Sequence, residues 1–192
     1  MTTNYKWNVK GVIINSLIAV ICGFIAIGLN YLYATLYTIL SPSGFGAIIS
    51  EALDGLWFIS GPIAFMVTRL PGSAVFTEVV AELIEGLASG GTVGAWGLLT
   101  GLFHGIGFEI GFATFKYRCF NFTVLAYASI LSAITSFIGS LFIDSYLKLK
   151  FSLMALYFFV RLVSIIIFSL LLVYGIWRLF VKTKIIKETQ IK

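Results

Sequence analysis

Three glutamates, Glu78, Glu82 and Glu85, interrupt the apolar stretch PGSAVFTEVVAELIEGLASGG, Pro71 to Gly91, and limit the possible folds more than any other feature of the chain. The stretch reads as a short membrane-spanning helix. At about 100° per residue, Glu82 lies about 40° from Glu78 and Glu85 about 20° to the other side, so the three carboxylates share one narrow face. A lipid-facing helix does not tolerate such a face. Each charge costs roughly 2.5 to 3.5 kcal/mol on insertion scales, so the face must look into a bundle interior or a wet cavity.

The remaining sequence is compatible only with a membrane setting for that helix. Hydrophobic residues make up 59% of the 192 residues, charged residues 11%, and the mean hydropathy is +1.02. Soluble domains carry about a quarter charged residues. The chain therefore reads as an all-α integral membrane protein, a single domain over residues 1–192 with room for about six spans of roughly 20 residues and none for a separate catalytic domain. The first apolar run is too long for a signal-peptide core and is expected in the mature protein. Cys22 and Cys119 suggest neither a disulfide framework nor a metal site.

The six expected spans are about 11–33, 48–67, 71–91, 95–115, 123–143 and 152–177. On the first, Ala19, Gly23 and Ala26, with Gly28 and Ala34 beyond, form a small-residue pattern that lets another helix approach, whether within the chain or from a partner. The second begins with Glu51 and Asp54, which either complement the helix dipole or serve a site. It continues through Trp57, either a belt residue or the wall of a site, to Pro62, which implies a kink or an early end. On the fourth, Gly97, Gly101, Phe108 and Gly111 fall within about 60° of His104, so a neighbouring backbone or a flat ligand can come close there. The fifth carries Ser129, Ser132, Ser136 and Ser140, suited to bonding between helices, and the sixth carries Arg161, which requires a carboxylate among the acids already named.

Six spans place both termini on one side. That side collects Lys6, Lys10, Arg69, Lys116, Arg118, Arg178, Lys182, Lys184, Lys187 and Lys192, against Lys148 and Lys150 opposite. Both termini are expected to be cytoplasmic. The net charge of +5 is then topological, and no nucleic-acid partner is implied.

The third and fourth spans, joined by GGTVG, are expected to be antiparallel neighbours. Counted from the outer end at about 1.5 Å per residue, Glu85, Glu82 and Glu78 lie roughly 7, 12 and 18 Å deep, and His104 and Glu109 roughly 13 and 21 Å. Glu82 then matches His104 in depth, and Glu78 nearly matches Glu109. Three carboxylates, an imidazole and the outer tryptophans Trp57 and Trp96 suit an aromatic organic cation, held by charge and by stacking or cation–π contact. A metal or proton path through a channel or ion-coupled carrier is an alternative, weakened for transition metals by the lack of a second histidine or a thiolate cluster. A membrane-embedded hydrolase is a further one, but no HExxH, P-loop or nucleophile elbow is present, and neither a cofactor nor a catalytic residue is implied.

From Gly55 to Tyr117 the segments GLWFISGPIAFMVTRLPGSAVFTEVVAELIEGL and WGLLTGLFHGIGFEIGFATFKY resemble the YkoE-type substrate-binding S components of energy-coupling factor (ECF) transporters. The most specific parts are the WF..GP segment at Trp57, the R.PG turn at Arg69, Pro71 and Gly72, the glutamate helix, and the stretch ending at Tyr117. The resemblance implies a six-span subunit of a bacterial cytoplasmic membrane that captures thiamine or its hydroxymethylpyrimidine precursor. It also implies a transmembrane coupling subunit and cytoplasmic ATPase subunits as partners. Glu78, Glu85, Glu109, Trp57 and Trp96 match its motif positions, whereas His104 stands where glutamine is expected and Glu82 where a small residue is common. By analogy, the small-residue face of the first span becomes a candidate contact for the coupling subunit.

Overall fold

Apolar segments in lipid must satisfy their backbone internally, which favours helices. The computed structural model is 86% helix, with no strand among the described residues, 6–43, 45–88 and 94–184. The GGTVG connection, Gly44 of the first loop, and Lys187 and Lys192 fall wholly or mostly outside them.

Helix α1 (Val9–Leu40) starts at Asn8, whose side chain accepts the Gly11 N–H at 2.8 Å. A 3-10 turn at Ser41–Ser43 leads to α2 (Gly46–Trp57), and after a break at Phe58 and Ile59 the chain resumes as α3 (Ser60–Thr68). The second apolar run is thus a broken span. Pro62 occupies the first turn of α3, where its missing N–H costs no helical bond. Arg69 ends α3 in the left-handed region at φ 54°, and Gly72 at φ 84° completes the turn into α4 (Ser73–Ala88). There follow α5 (Gly94–Thr114), α6 (Phe122–Ile143), a 3-10 turn at Tyr146–Lys148, and α7 (Phe151–Ile165). A π-helical segment, Ile166–Leu172, joins α7 to α8 (Val173–Lys182).

Among the described residues, four stretches are long and apolar enough to cross a membrane: Val9–Ser43, Ile48–Thr68, Phe122–Ile143 and Phe151–Lys182. The other two expected spans correspond to α4 and α5, which carry Glu78, Glu82, Glu85, Glu109 and His104. These two pack on each other, with α1 and α3 against α4 and with α6 against α5.

Helix α5 is thin on two flanks. A Cβ at Gly101 or Gly105 would run into the α4 backbone at Glu78–Val79 or Val75, and one at Gly107 or Gly111 into α6 at Ser132 or Ala128. Relative to His104 the first pair lies at about +60° and +100° and the second at about −60° and −20°, so the glycines serve two neighbours and the ridge between them carries His104 and Phe108. That ridge meets Phe58 at the α2–α3 break, with His104 stacked on it at 3.9 Å between ring centroids. Below it the core is aromatic: Phe65 stacks on Phe112 at 3.9 Å, and Phe120 joins them to Trp177.

The small residues of α1 are used within the chain. Ala19, Gly23 and Ala26 are buried, and a Cβ at Gly23 would press on Ile84 and on the Ala81 carbonyl of α4. This corrects the expectation of an outward face for a coupling subunit at these three positions. On α6, Ser132 donates to the His104 carbonyl at 2.8 Å and Ser140 accepts from Arg161 at 3.0 Å, the bonding between helices that the serine row implied.

Candidate functional site

The three α4 glutamates each address a different helix. Glu78, 1% exposed, accepts the Gly61 N–H at 2.7 Å, and so satisfies a donor that the broken span leaves free at the start of α3. Glu82 places Oε1 3.7 Å from Nδ1 of His104. Glu85 accepts with one oxygen from both the Trp57 indole N–H, at 3.0 Å, and the Asn30 side-chain amide. The C-terminal half of α4 therefore joins α1, the end of α2 and α5 at one polar junction, formed by Asn30, Trp57, Glu82, Glu85 and His104. Beside His104 a cavity of 10 Å³ runs between α5 and α6, lined among others by Thr100, Ser136, Ser140 and Asp144. That is about the room one water needs.

Asn30 has no counterpart in the sequence reading. The signal was present, since Asn15 and Asn30 are the only carboxamides in the uncharged run from Gly11 to Ser50. A carboxamide in lipid-level helix requires a partner just as an acid does.

Arg161 is not a partner of the α4 face. Its Nε and Nη2 donate to the two carboxylate oxygens of Glu51 at 2.7 and 3.0 Å, its Nε lies 3.1 Å from Asp54, and its Nη2 donates to Ser140. Tyr146 donates to Glu51 at the oxygen that also accepts from Arg161 Nη2. Glu51 and Asp54 sit beyond the first turn of α2, so the dipole reading is replaced by an ion-pair cluster that clasps α2 to α7.

Glu109 is placed away from this junction. Its carboxylate accepts the N–H groups of Gly72 and Ala74, at the turn that begins α4. It is not level with Glu78. Glu109→Ala is expected to lower stability by about 1 to 2 kcal/mol, as for loss of a charged helix cap. Ligand affinity should stay within about twofold, and a tenfold loss of affinity at unchanged stability would contradict this assignment. Trp96 lies at the start of α5 and is 64% exposed, a rim position beside the α4–α5 connection.

Residues 10–135 match the family described as the permease component of the ABC-type cobalt transport system. The chain belongs to this family. A Bacillus subtilis (strain 168) protein named as an HMP/thiamine permease, YkoE, is 30% identical over 159 residues, covering 83% of this chain and 77% of that protein. A crystal structure of an S component of an ECF transporter superposes with a TM-score of 0.80 at 28% identity, covering 94% of this chain and 88% of that one. This permease-family chain is accordingly a membrane protein with the S-component fold and a substrate-binding transport component, and its family is one of transporter components. The family description mentions cobalt. Among the described residues no group of three or more His, Cys, Asp or Glu side chains is set to hold a metal ion.

Proposed function

We propose that the chain captures thiamine or its hydroxymethylpyrimidine precursor at the junction of α1, α2, α4 and α5. The observation that carries this reading is the pairing of the Glu85 carboxylate with the Trp57 indole next to the Glu82–His104 pair. Carboxylates attract a thiazolium cation, an indole face adds cation–π attraction, and a carboxylate–imidazole pair offers an acceptor and a donor to an aminopyrimidine edge. Because Arg161 is held by Glu51 and Asp54, its charge does not offset the α4 face. The name of the B. subtilis relative, an HMP/thiamine permease, supports the same ligand class. Trp96 serves as a wall at the rim, and Glu78 acts from below by holding the α2–α3 break in register.

In this reading the chain is one domain with six spans, α4 and α5 being the two in addition to the long apolar stretches, and both termini are cytoplasmic in a bacterial cytoplasmic membrane. The excess of Lys and Arg on the terminal side supports that orientation. Uptake requires a transmembrane coupling subunit and cytoplasmic ATPase subunits, as the likeness to an ECF S component suggests.

Equilibrium binding to the detergent-purified chain tests the proposal, with thiamine, hydroxymethylpyrimidine and riboflavin compared. Saturable binding of thiamine or hydroxymethylpyrimidine, without binding of riboflavin, is expected. No saturable binding of the first two would sink it.

A further inference from the structure

The end of α2 that carries Trp57 is fastened by two buried serines, one on α7 and one on the π-helical segment that follows it. Ser164, 3% exposed, donates its hydroxyl to the Ala52 carbonyl at 2.8 Å and accepts the Gly55 N–H at 2.9 Å. Ser169, fully buried, donates to the Gly55 carbonyl at 2.8 Å. That carbonyl is one of the last four of α2, which have no partner within the helix because the chain breaks at Phe58. Ser169 therefore caps α2 from another helix. The two backbones are in direct contact here, since a Cβ on Gly55 would fall on the Ser164 carbonyl group.

Two serines five residues apart cannot both face one glycine from a regular helix. At about 100° per residue they diverge by about 140°. The π-helical segment Ile166–Leu172 removes the conflict, because i→i+5 bonding widens the turn and brings residues five apart toward one side. The extra residue in the turn lets both hydroxyls reach Gly55. Gly55 is two residues before Trp57, and Trp57 in turn donates to Glu85.

We propose that Ser164 and Ser169, presented together by the π-helical turn, are positioning residues that set the Trp57 indole against Glu85. They touch no ligand. Their effect on binding rests on the ligand site proposed above, whereas their effect on Trp57 does not.

The test uses the full chain in detergent, labelled with 5-fluorotryptophan, which reports on Trp7, Trp57, Trp96 and Trp177. Each resonance is assigned by a single Trp→Phe substitution. Ser169→Ala is expected to shift or broaden the Trp57 resonance and leave those of Trp7 and Trp96 in place, with Ser164→Ala as a second variant should the first not fold. Thiamine affinity should fall about two- to tenfold in Ser169→Ala, the worth of one hydrogen bond, and should fall no further when Ser169→Ala is added to Trp57→Phe. An unmoved Trp57 resonance overturns the inference, as does an equal loss of affinity with and without Trp57. If the unsubstituted chain binds neither thiamine nor hydroxymethylpyrimidine, the ligand reading fails by itself, and the fluorine resonances still decide whether the serines position Trp57.

Discussion

Replacing Arg161 by alanine should lower the free energy of unfolding by about 3 to 5 kcal/mol. Arg161 is 4% exposed and forks onto Glu51, itself fully buried, while also approaching Asp54 and Ser140. Removing the guanidinium leaves two carboxylates in the interior without their cation, and the cost is mainly that of the stranded charge. The same physics makes the double variant Arg161→Met, Glu51→Gln markedly less damaging than Arg161→Ala, because it removes charge from both sides of the pair. Denaturant or thermal unfolding in one detergent, followed by a helical signal, measures both. A loss below about 1 kcal/mol for Arg161→Ala would mean that the cluster is wetter than its burial implies.

Glu85→Gln should weaken thiamine binding by about 10- to 100-fold, in line with the worth of a hydrogen bond or contact to a charged group. The variant keeps the shape of the side chain and removes its charge. Neutral hydroxymethylpyrimidine should lose much less. Equal losses for the two ligands would show that Glu85 acts by shape or by holding Trp57 and Asn30, and would remove charge attraction from the proposed mechanism. The structure makes the comparison informative, since one oxygen of Glu85 already serves both Asn30 and Trp57. A ligand cation therefore joins an existing hydrogen-bonded node rather than an empty acceptor.

Much of the site was legible because helical periodicity is insensitive to tertiary detail. The common face of Glu78, Glu82 and Glu85 followed from spacing alone, as did a neighbour close to the glycines of α5. Depth was less secure. Counting from the connection placed Glu109 beside Glu78, but Gly101 lies opposite Val79 and Gly105 opposite Val75. That register offsets α5 by about five residues, roughly 7 Å, from the symmetric hairpin assumed in the count. Glu82 still reaches His104 because side chains lean toward their own helix N-termini, which in antiparallel neighbours points the two toward each other. The depths of the two residues thus do not match, and their proximity arises from side-chain direction. The partners of Arg161 were open because Glu51 is 110 residues away in sequence, and nothing local says which helices become neighbours. The joint action of Ser164 and Ser169 was hidden by the 100° rule itself, which a π-helical turn suspends.

Helix α1 has a consequence of another kind. Its 32 residues extend for about 48 Å, against a hydrocarbon core of about 30 Å. At an ordinary tilt of about 20° it still overreaches by about 15 Å. In its last turns Tyr31, Tyr33 and Tyr37 follow one another, and Tyr31 is 75% exposed. Tyrosine favours the headgroup level, where its ring and hydroxyl meet different surroundings. Rings at that level would act as a float for the chain, so a thicker or thinner membrane is expected to change the attitude of α1, and with it the height of Asn30.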